Sequence, residues 1–333
     1  MALLSWPLRG ADIPLVGGPP ARSLVVIVQD PKATAAFQAQ PAVVQEMVNR
    51  GILALAAKAD LKTAWRSFVS TQDIVGLKVF SGPGANSGTR PAVAAAVVSG
   101  LLQAGLAPSH IIIWDKHLLD LRLAGYDALA SRYNIRLAGA SDAGYDEKAS
   151  YDNPVMGDLV AGDLEFDRDG KTEGRKSYVT KLLTGNITKI INITPLLNHN
   201  MAGVSGNLYG LAMGSMDNTL RFESSPDRLA RAVPEIYALP ALSDRVALNI
   251  TDALLGQYQG EQLSLLHYST ELNQIWLSKD PVALDVLSLQ ELDRERQDRK
   301  IQSENENLGL YQNATLLELG VSDLDKIRLQ MVK

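Results

Sequence analysis

Short runs of apolar, β-branched residues alternate along the chain with longer segments in which apolar residues recur at helical spacing. The segments at 42–59 and 61–69 carry apolar residues three and four positions apart, as on one face of a helix. The short runs, typical of buried strands, lie at 23–28, 75–80, 111–114, 134–137, 189–194, 246–251 and 274–278. An alternation of buried strands and helices is typical of βαβ units. The pattern therefore predicts an α/β fold with a mainly parallel sheet.

Residues 142–185 interrupt this alternation. The segment is rich in Gly, Asp and Asn, which favour turns, and its runs at 163–167 and 176–179 flank a hairpin signal, Asp169-Gly170. We therefore expect a β-ribbon insertion between two α/β halves. The predicted organisation is an N-terminal arm at 1–22, a first half with a Gly-rich loop at 23–141, the insertion at 142–185, and a second half at 186–333 that shares the first half's sheet or packs on it.

Two apolar segments bear on the relation to membranes. Residues 91–114 contain no Asp, Glu, Lys or Arg and are long enough to cross a bilayer. Polar residues and Pro108 divide them, which predicts a buried helix followed by a buried strand rather than a transmembrane segment. Residues 2–8, followed by Arg9-Gly10-Ala11, resemble the end of a secretory signal peptide. This interpretation implies a periplasmic or extracellular protein, whereas a flexible N-terminal arm, the alternative, leaves a cytoplasmic location open.

Composition removes several classes of function. The chain has 32 Lys and Arg against 37 Asp and Glu, a formal net charge of −5, and no stretch in which basic residues cluster with aromatic ones. We therefore expect no nucleic-acid partner. The absence of cysteine excludes disulfides, thiol nucleophiles and a cysteine-bound Fe–S cluster. Any chemistry must use oxygen and nitrogen groups, or a cofactor that sulfur does not bind.

A Gly-rich loop, residues 81–91, follows the second strand and precedes a helix. Its glycines let the backbone approach a ligand, and the free N–H groups at a helix start attract an anion. The loop lacks the lysine that follows the last glycine of a Walker motif, and it lacks the spacing of a dinucleotide-binding motif. A plain connection between a strand and a helix is the alternative. The residues that we predict to bind a small anionic ligand are Lys78, Gly84, Ser87, Thr89 and Arg90.

Candidate acid–base and metal-binding residues follow other predicted strands, at the edge where α/β sheets bind ligands. Asp115 directly follows the Ile-Ile-Ile-Trp strand, and His199 lies within 194–218, a Gly- and Asn-rich stretch that we interpret as a loop shaped around a ligand. A helix cap at Asp115 and a loop histidine bonded to backbone are the alternatives. We predict that His199 and Asp115 are catalytic. The predicted ligands of a divalent metal are His199, Asp115, Asp217, Asn218 and Asp252.

Two further features concern the strands and the last long helix. Asn-Ile-Thr occurs at 192–194 and again at 249–251, so two buried strands have similar composition. Asp280-Pro281 is a helix start signal in which Asp280 is the N-terminal cap. Asp285 is interpreted as an exposed position of that helix, with a functional role as the alternative.

The ordered series of motifs resembles a prokaryotic family known as domain of unknown function 362. The resemblance rests on the strand at 75–78 with its Gly-rich loop, the strand that ends at Asp115, the strand and loop around Pro195 and His199, and the motifs at 249–252 and 278–285. It implies an α/β fold with a site near these motifs. Members are often exported, and some carry Fe–S modules, for which this chain has no cysteine.

The chain departs from the family pattern at two places. Where members have Lys before the histidine and before the asparagine, this sequence has Leu196-Leu197-Asn198 and Met216-Asp217. The loss of two cations weakens the expectation of an anionic ligand in that stretch. Thr89-Arg90-Pro91 is also distantly similar to the first domain of nickel-pincer lactate racemases.

Together these features predict an exported α/β protein that binds an anionic small molecule, a divalent metal or both at the carboxyl edge of its sheet. Without a cysteine or a Gly-x-Ser-x-Gly motif, a metal-assisted hydrolase or isomerase fits the available groups better than covalent catalysis. The alternatives are a non-catalytic solute-binding protein and an accessory protein that docks a partner through its Gly-rich loop.

Overall fold

The computed structural model describes residues 23–261, 263–302 and 307–333, so the predicted signal-peptide remnant at 1–22 lies outside the described residues. The strands are β1 (Ser23–Gln29), β2 (Thr34–Ala35), β3 (Gln38–Ala39), β4 (Val75–Val79), β5 (Ile111–Asp115), β6 (Arg136–Gly139), β7 (Tyr145–Asp158), β8 (Glu173–Thr180), β9 (Lys189–His199), β10 (Gly203–Val204), β11 (Val246–Gln257), β12 (Ser269–Ser278) and β13 (Ile327–Val332). The α-helices are α1 (Pro41–Ala56), α2 (Leu61–Arg66), α3 (Gly84–Ser87), α4 (Pro91–Gln103), α5 (Leu118–Leu123), α6 (Tyr126–Tyr133), α7 (Ala140–Ala143), α8 (Asn207–Gly214), α9 (Pro226–Tyr237), α10 (Pro281–Asp298) and α11 (Leu308–Leu316).

One large sheet organises the fold, with the strand order β13-β1-β12-β11-β9-β4-β5-β6. β12 pairs antiparallel with both of its neighbours, β1 and β11. The other neighbouring strands of this path pair in parallel. All of its strands except β12 therefore point the same way, which confirms the predicted α/β fold with a mainly parallel sheet. β10 adds a short antiparallel pairing to the end of β9.

Helices cover both faces of the sheet, because successive side chains of a strand point to opposite faces. In β1, Val26 packs into a core that also contains Val44 of α1 and Trp65 of α2. Its neighbour Val25 packs into a second core, to which α8, α9, α10 and α11 contribute, for example through Leu229. Sheets of this kind bind ligands at the carboxyl ends of their parallel strands, where polar residues can form a site.

The segment 91–114 is a helix and a strand, as predicted. It forms α4, a short 3-10 turn and β5, and both main elements are largely buried. Within the described ranges, none of the helices combines the length and the apolar character that a bilayer crossing requires. The start of α10 is also confirmed, because Asp280 caps it by accepting a hydrogen bond from the backbone N–H of Ala283 at 2.9 Å.

The ribbon is present, but its first arm differs from the prediction. β7 pairs antiparallel with β8, and β8 contains the predicted arm at 176–179. The other predicted arm, 163–167, lies in turns between the two strands. The carboxylate of Asp163 explains this difference, because it accepts hydrogen bonds from the backbone N–H groups of Val160 (2.9 Å) and Asn218 (2.8 Å). Such side-chain bonds to backbone favour turns over strand pairing.

The stretch 194–218, predicted to be a loop, is mostly regular structure. It contains the end of β9, a hairpin to β10, and α8. The carboxylate of Asp285 caps α8, since it accepts hydrogen bonds from the backbone N–H groups of Asn207 (2.6 Å) and Leu208 (2.9 Å). A Cβ at Gly206 would lie 2.2 Å from this carboxylate, so the glycine permits the contact. The interpretation of Asp285 as an exposed position is wrong, because its side chain is buried.

Candidate functional site

The carboxyl ends of β4 and β5 place a lysine against an aspartate. Lys78 Nζ donates hydrogen bonds to Asp115 Oδ1 at 2.8 Å and to the carbonyl of Val79 at 2.7 Å. The backbone N–H and the hydroxyl of Ser81 both donate to Asp115 Oδ2 at 2.7 Å. Burial by itself raises the pKa of Asp115, but the Lys78 ammonium and the Ser81 hydrogen bonds outweigh it and hold the pKa below its usual value. Asp115 is therefore a buried, ionised partner of Lys78.

Arg90 and Asp252 form a second buried ion pair, at the start of α4. Arg90 Nη1 lies 2.9 Å from Asp252 Oδ1, and the backbone N–H of Arg90 donates to Oδ2 at 2.9 Å. The side chain of Asp252 is fully buried. Its carboxylate thus occupies the helix start at which the sequence predicted an external anion. The charge of Arg90 is balanced within the protein.

The Gly-rich loop is tied to the sheet by its own side chains. The hydroxyl of Thr89 accepts a hydrogen bond from the backbone N–H of Phe80 at 2.9 Å and donates to the carbonyl of Ile193, in β9, at 2.7 Å. Ser87 Oγ lies 3.4 Å from Ser264 Oγ. These contacts join β4 and the start of α4 to β9, so the loop has a clear structural role.

A cavity of about 640 Å³ opens at the carboxyl edge of β5 and β9. The turns of the ribbon, α8 and the segment 218–223 complete its wall. Three predicted site residues line this cavity, namely Asp115, His199 and Asn218. The predicted residues that lie outside its wall are Asp217, Asp252, Lys78, Gly84, Ser87, Thr89 and Arg90.

His199 presents a hydrogen-bond donor to the cavity. Its Nδ1 accepts hydrogen bonds from the backbone N–H groups of Met201 and Ala202, both at 3.1 Å. Because Nδ1 uses its lone pair for these bonds, we place the ring proton on Nε2. Burial lowers the pKa of His199 to about 4, so the ring is neutral at pH 7. Nε2 lies 3.8 Å from Oε2 of Glu223, and the ring packs on Tyr209 with 4.3 Å between centroids.

Glu223 is a cavity residue that the sequence analysis missed. Its Oε1 accepts a hydrogen bond from the hydroxyl of Tyr209 at 2.8 Å, and its other oxygen faces His199. Burial raises the pKa of Glu223, although the Tyr209 hydrogen bond and Lys116 act in the opposite direction. A buried carboxyl group that faces a cavity can take part in proton transfer to a bound ligand. No motif marks this residue, because it lies beyond the Gly-rich stretch and only the path of the chain brings it to His199.

Lys116 is the second missed residue. It directly follows Asp115, and its Nζ donates a hydrogen bond to the hydroxyl of Thr219 at 2.6 Å. Burial lowers the pKa of Lys116, while Asp163 and Glu223 act to raise it by a smaller amount. Lys116 is the next residue after Asp115 in the sequence, but a lysine beside a strand end does not by itself indicate a functional site. Its amine is available at the cavity wall.

The five predicted metal ligands do not form one cluster. Asp115 and Asp252 belong to different ion pairs, and Asp217 accepts hydrogen bonds from two backbone N–H groups while burial raises its pKa to about 6. The amide of Asn218 donates to two backbone carbonyls. The free nitrogen of His199 carries the ring proton, so it is not a ligand in this tautomer. Across the described ranges, no group of three or more His, Asp or Glu side chains could hold a metal ion.

Fold and site define an α/β protein with a ligand-sized cavity at the carboxyl edge of its sheet. The sequence matches the family described as domain of unknown function (DUF362) over residues 75–290. The chain belongs to this family, which confirms the resemblance found in its motifs.

Comparison with individual proteins adds little beyond the family. No curated protein matches the chain. A protein from Thermotoga maritima, known from its crystal structure, is similar over 88% of this chain with 13% sequence identity and a TM-score of 0.40. This chain spans 61% of the length of that protein.

Proposed function

We propose that the cavity binds a small polar molecule without net negative charge and transfers protons to and from it. The proposal retains the hydrolase or isomerase chemistry that the sequence suggested, but it replaces the metal with side-chain acid–base groups and changes the charge of the ligand. The main observation in support of this proposal is the excess of acidic over basic side chains in the cavity wall.

Carboxyl groups outnumber cations along this wall. The acidic side chains that line it are Asp115, Asp120, Asp163, Glu223 and Glu261. Asp115 is neutralised by Lys78, and Lys116 is the one Lys or Arg among the described residues of the wall. His199 is neutral, so it does not offset the acids. A ligand with a carboxylate or phosphate would therefore face like charges, whereas a neutral or positively charged ligand would not.

The acid–base part of the proposal rests on Glu223 and His199. The carboxyl group of Glu223 faces His199 in the cavity wall, and its raised pKa favours the protonated form, which can donate a proton to a ligand. The neutral ring of His199 donates from Nε2 and can orient a ligand oxygen beside it. Tyr209 fixes both groups, because its hydroxyl binds Glu223 and its ring packs on His199. This arrangement suits an isomerisation or hydrolysis in which a proton moves on a bound polar molecule.

A fragment library of matched triplets tests the proposal. In each triplet an amine, an alcohol and a carboxylate share one scaffold, and binding is measured by thermal shift and confirmed by titration calorimetry. We expect amines and alcohols to bind and their carboxylates to bind more weakly or not at all. Preferential binding of the carboxylates, or no binding by any triplet, would overturn the proposal.

Two variants locate the binding. Glu223→Gln removes a carboxylate from the wall. We expect it to lower the affinity for amines and to reduce the difference in affinity between each amine and its matched carboxylate. Ala161→Trp places a large side chain at an exposed position of the wall and is expected to reduce binding of all members. The matched control is Glu46→Gln, an exposed position on α1 outside the cavity, which should bind like the wild type.

A further inference from the structure

We propose that Lys116 is a nucleophilic amine that forms a Schiff base with an aldehyde or ketone bound in the cavity. This inference rests on the proposed function, because the cavity must admit a small molecule. It adds a covalent step and a substrate class, a carbonyl compound that is neutral or positively charged.

The position of Lys116 leaves its amine without an ionic partner. The adjacent carboxylate, Asp115, is held by Lys78 and by both donors of Ser81. The hydrogen bond of Lys116 Nζ goes to a neutral hydroxyl, that of Thr219, at 2.6 Å. In the described part of the chain, no carboxylate oxygen lies within the 4.0 Å of Nζ that defines an ion pair.

Three other lysines illustrate the ionic contact that Lys116 lacks. The ammonium of Lys78, on the neighbouring strand, lies 2.8 Å from a carboxylate. On the surface, Lys171 and Lys326 pair with Glu165 and Asp323 at 3.5 and 3.4 Å. Lys116 is half-buried in a cavity wall and has a hydroxyl where these have a carboxylate.

The free amine is the nucleophile, and the surroundings favour it. Burial lowers the pKa of Lys116, since it disfavours the ammonium form more than the nearby carboxylates favour it. A desolvated lysine of this kind is a known means of producing an amine that attacks carbonyl groups. Thr219 can orient the amine, because its oxygen accepts one N–H and leaves the nitrogen lone pair free to point elsewhere.

The step balances with groups of the same wall. The lone pair of Nζ attacks the carbonyl carbon, a C–N bond forms as the C=O π bond breaks, and one of the two nitrogen protons passes to the carbonyl oxygen to give a carbinolamine. The hydroxyl group then leaves as water while the nitrogen loses its remaining proton and the C=N bond forms. Glu223 lines the cavity and has a raised pKa, so it can protonate the departing hydroxyl and accept the proton from nitrogen. The products are an imine and one water.

Reductive trapping tests the inference on the full chain. The protein is incubated at pH 7 with glyceraldehyde, an uncharged aldehyde, and cyanoborohydride, whose hydride reduces the imine to a stable secondary amine. Peptide mass spectrometry then gives the labelling rate of each lysine. We expect Lys116 to be labelled several-fold faster than Lys62, an exposed lysine on α2. A Lys116 rate equal to or below that of Lys62 would overturn the inference.

Two controls separate this result from a failure of the proposed function. Ala161→Trp should slow labelling at Lys116 and leave Lys62 unchanged, which shows that the reaction occurs in the cavity. Binding of non-carbonyl fragments to the wild type, which requires no imine, reports on the proposed function separately. If the wild type binds fragments and Lys116 is not labelled preferentially, the proposal of a Schiff base at Lys116 is wrong, and the proposal that the cavity binds small molecules is retained. If neither occurs, both are wrong.

Discussion

Lys78 on β4 and Asp115 at the end of β5 form a buried ion pair, with 2.8 Å between Nζ and Oδ1. The pair joins two adjacent parallel strands at the edge where the cavity opens. It also holds Ser81, at the start of the Gly-rich loop, through two hydrogen bonds to Asp115. Because Asp115 is fully engaged, Lys116 is left to face the cavity.

Breaking this ion pair should destabilise the fold. We expect Lys78→Met to lower the free energy of unfolding by about 3–5 kcal/mol, because it leaves a buried carboxylate unpaired. The double variant Lys78→Met/Asp115→Asn should recover part of that loss. Denaturant unfolding measures all three proteins.

An exposed ion pair is the matched control for this experiment. Arg175 and Asp152 lie 2.7 Å apart on the ribbon, with both side chains largely in solvent. Arg175→Met should therefore change the free energy of unfolding far less than Lys78→Met does. Equal effects of Lys78→Met and Arg175→Met would contradict the role given to the buried pair.

The Gly-rich loop should not act as a phosphate site. Arg90 is paired with Asp252 and Lys78 with Asp115, so neither cation is free to bind an external anion. Phosphate is expected to raise the melting temperature no more than chloride does at equal ionic strength. A saturable increase that Arg90→Gln removes would instead support the anion site predicted from the sequence.

The ring of His199 should stay neutral through the physiological range. Its pKa in the folded protein is about 4, against 6.5 as the ordinary value, because the ring is buried. The folded state therefore binds fewer protons than the unfolded state, and this residue's contribution to stability is lost as the pH falls from about 6.5 towards 4. NMR spectra of the ring nitrogens should show a proton on Nε2 at pH 6. A ring that titrates near pH 6.5 would contradict this environment.

Asp285 should give the opposite pH dependence. Its folded pKa is raised to about 7 by burial, against 3.8 as the ordinary value. The folded state therefore holds a proton that the unfolded state releases, so stability is lost as the pH rises from about 4 to about 7. Denaturant unfolding at several pH values should show this loss in the wild type and a smaller one in Asp285→Asn. Asp244→Asn, at an exposed aspartate, should retain the wild-type slope, and an equal loss of slope in both variants would contradict the assignment.

The sequence predicts the fold well because buried strands have a strong local pattern. Runs such as Ile-Ile-Ile-Trp are apolar on both faces, as a central parallel strand requires. Local pattern fails where side chains bind distant backbone. Asp163 accepts a hydrogen bond from the backbone of Asn218, so the predicted first arm of the ribbon forms turns instead of a strand. Asp285 is buried because it caps α8. Composition near either aspartate contains no sign of these partners.

The two Asn-Ile-Thr runs at 192–194 and 249–251 are neighbours in the sheet. They lie side by side in β9 and β11, with Asn192 opposite Asn249 and Thr194 opposite Thr251. The two asparagine side chains contact each other, with 3.4 Å between Asn192 Nδ2 and Asn249 Oδ1. The matching residues thus form polar rows across adjacent buried strands, which sequence spacing alone did not reveal.

The sequence indicated the edge of the sheet at which the cavity lies, but not the contacts that the side chains make there. Strand ends directed attention to Asp115 and His199, which both line the cavity, since carboxyl ends of parallel strands meet at one edge. The partners that define charge are far apart in sequence: Lys78 and Asp115 are separated by 37 positions, and Arg90 and Asp252 by 162. A lysine whose charge is balanced by a remote aspartate looks like a free cation in the sequence, which is why an anionic ligand was expected.

The most direct test of the central claim is a measurement of which small molecules the cavity retains. The wild-type protein and Ala161→Trp are each dialysed to equilibrium against a metabolite extract, and mass spectrometry in both polarities identifies compounds enriched with the protein. We predict that the wild type enriches neutral or positively charged compounds and that Ala161→Trp does not. Enrichment of carboxylates or phosphates only, equal enrichment by both proteins, or no enrichment at all would contradict the account.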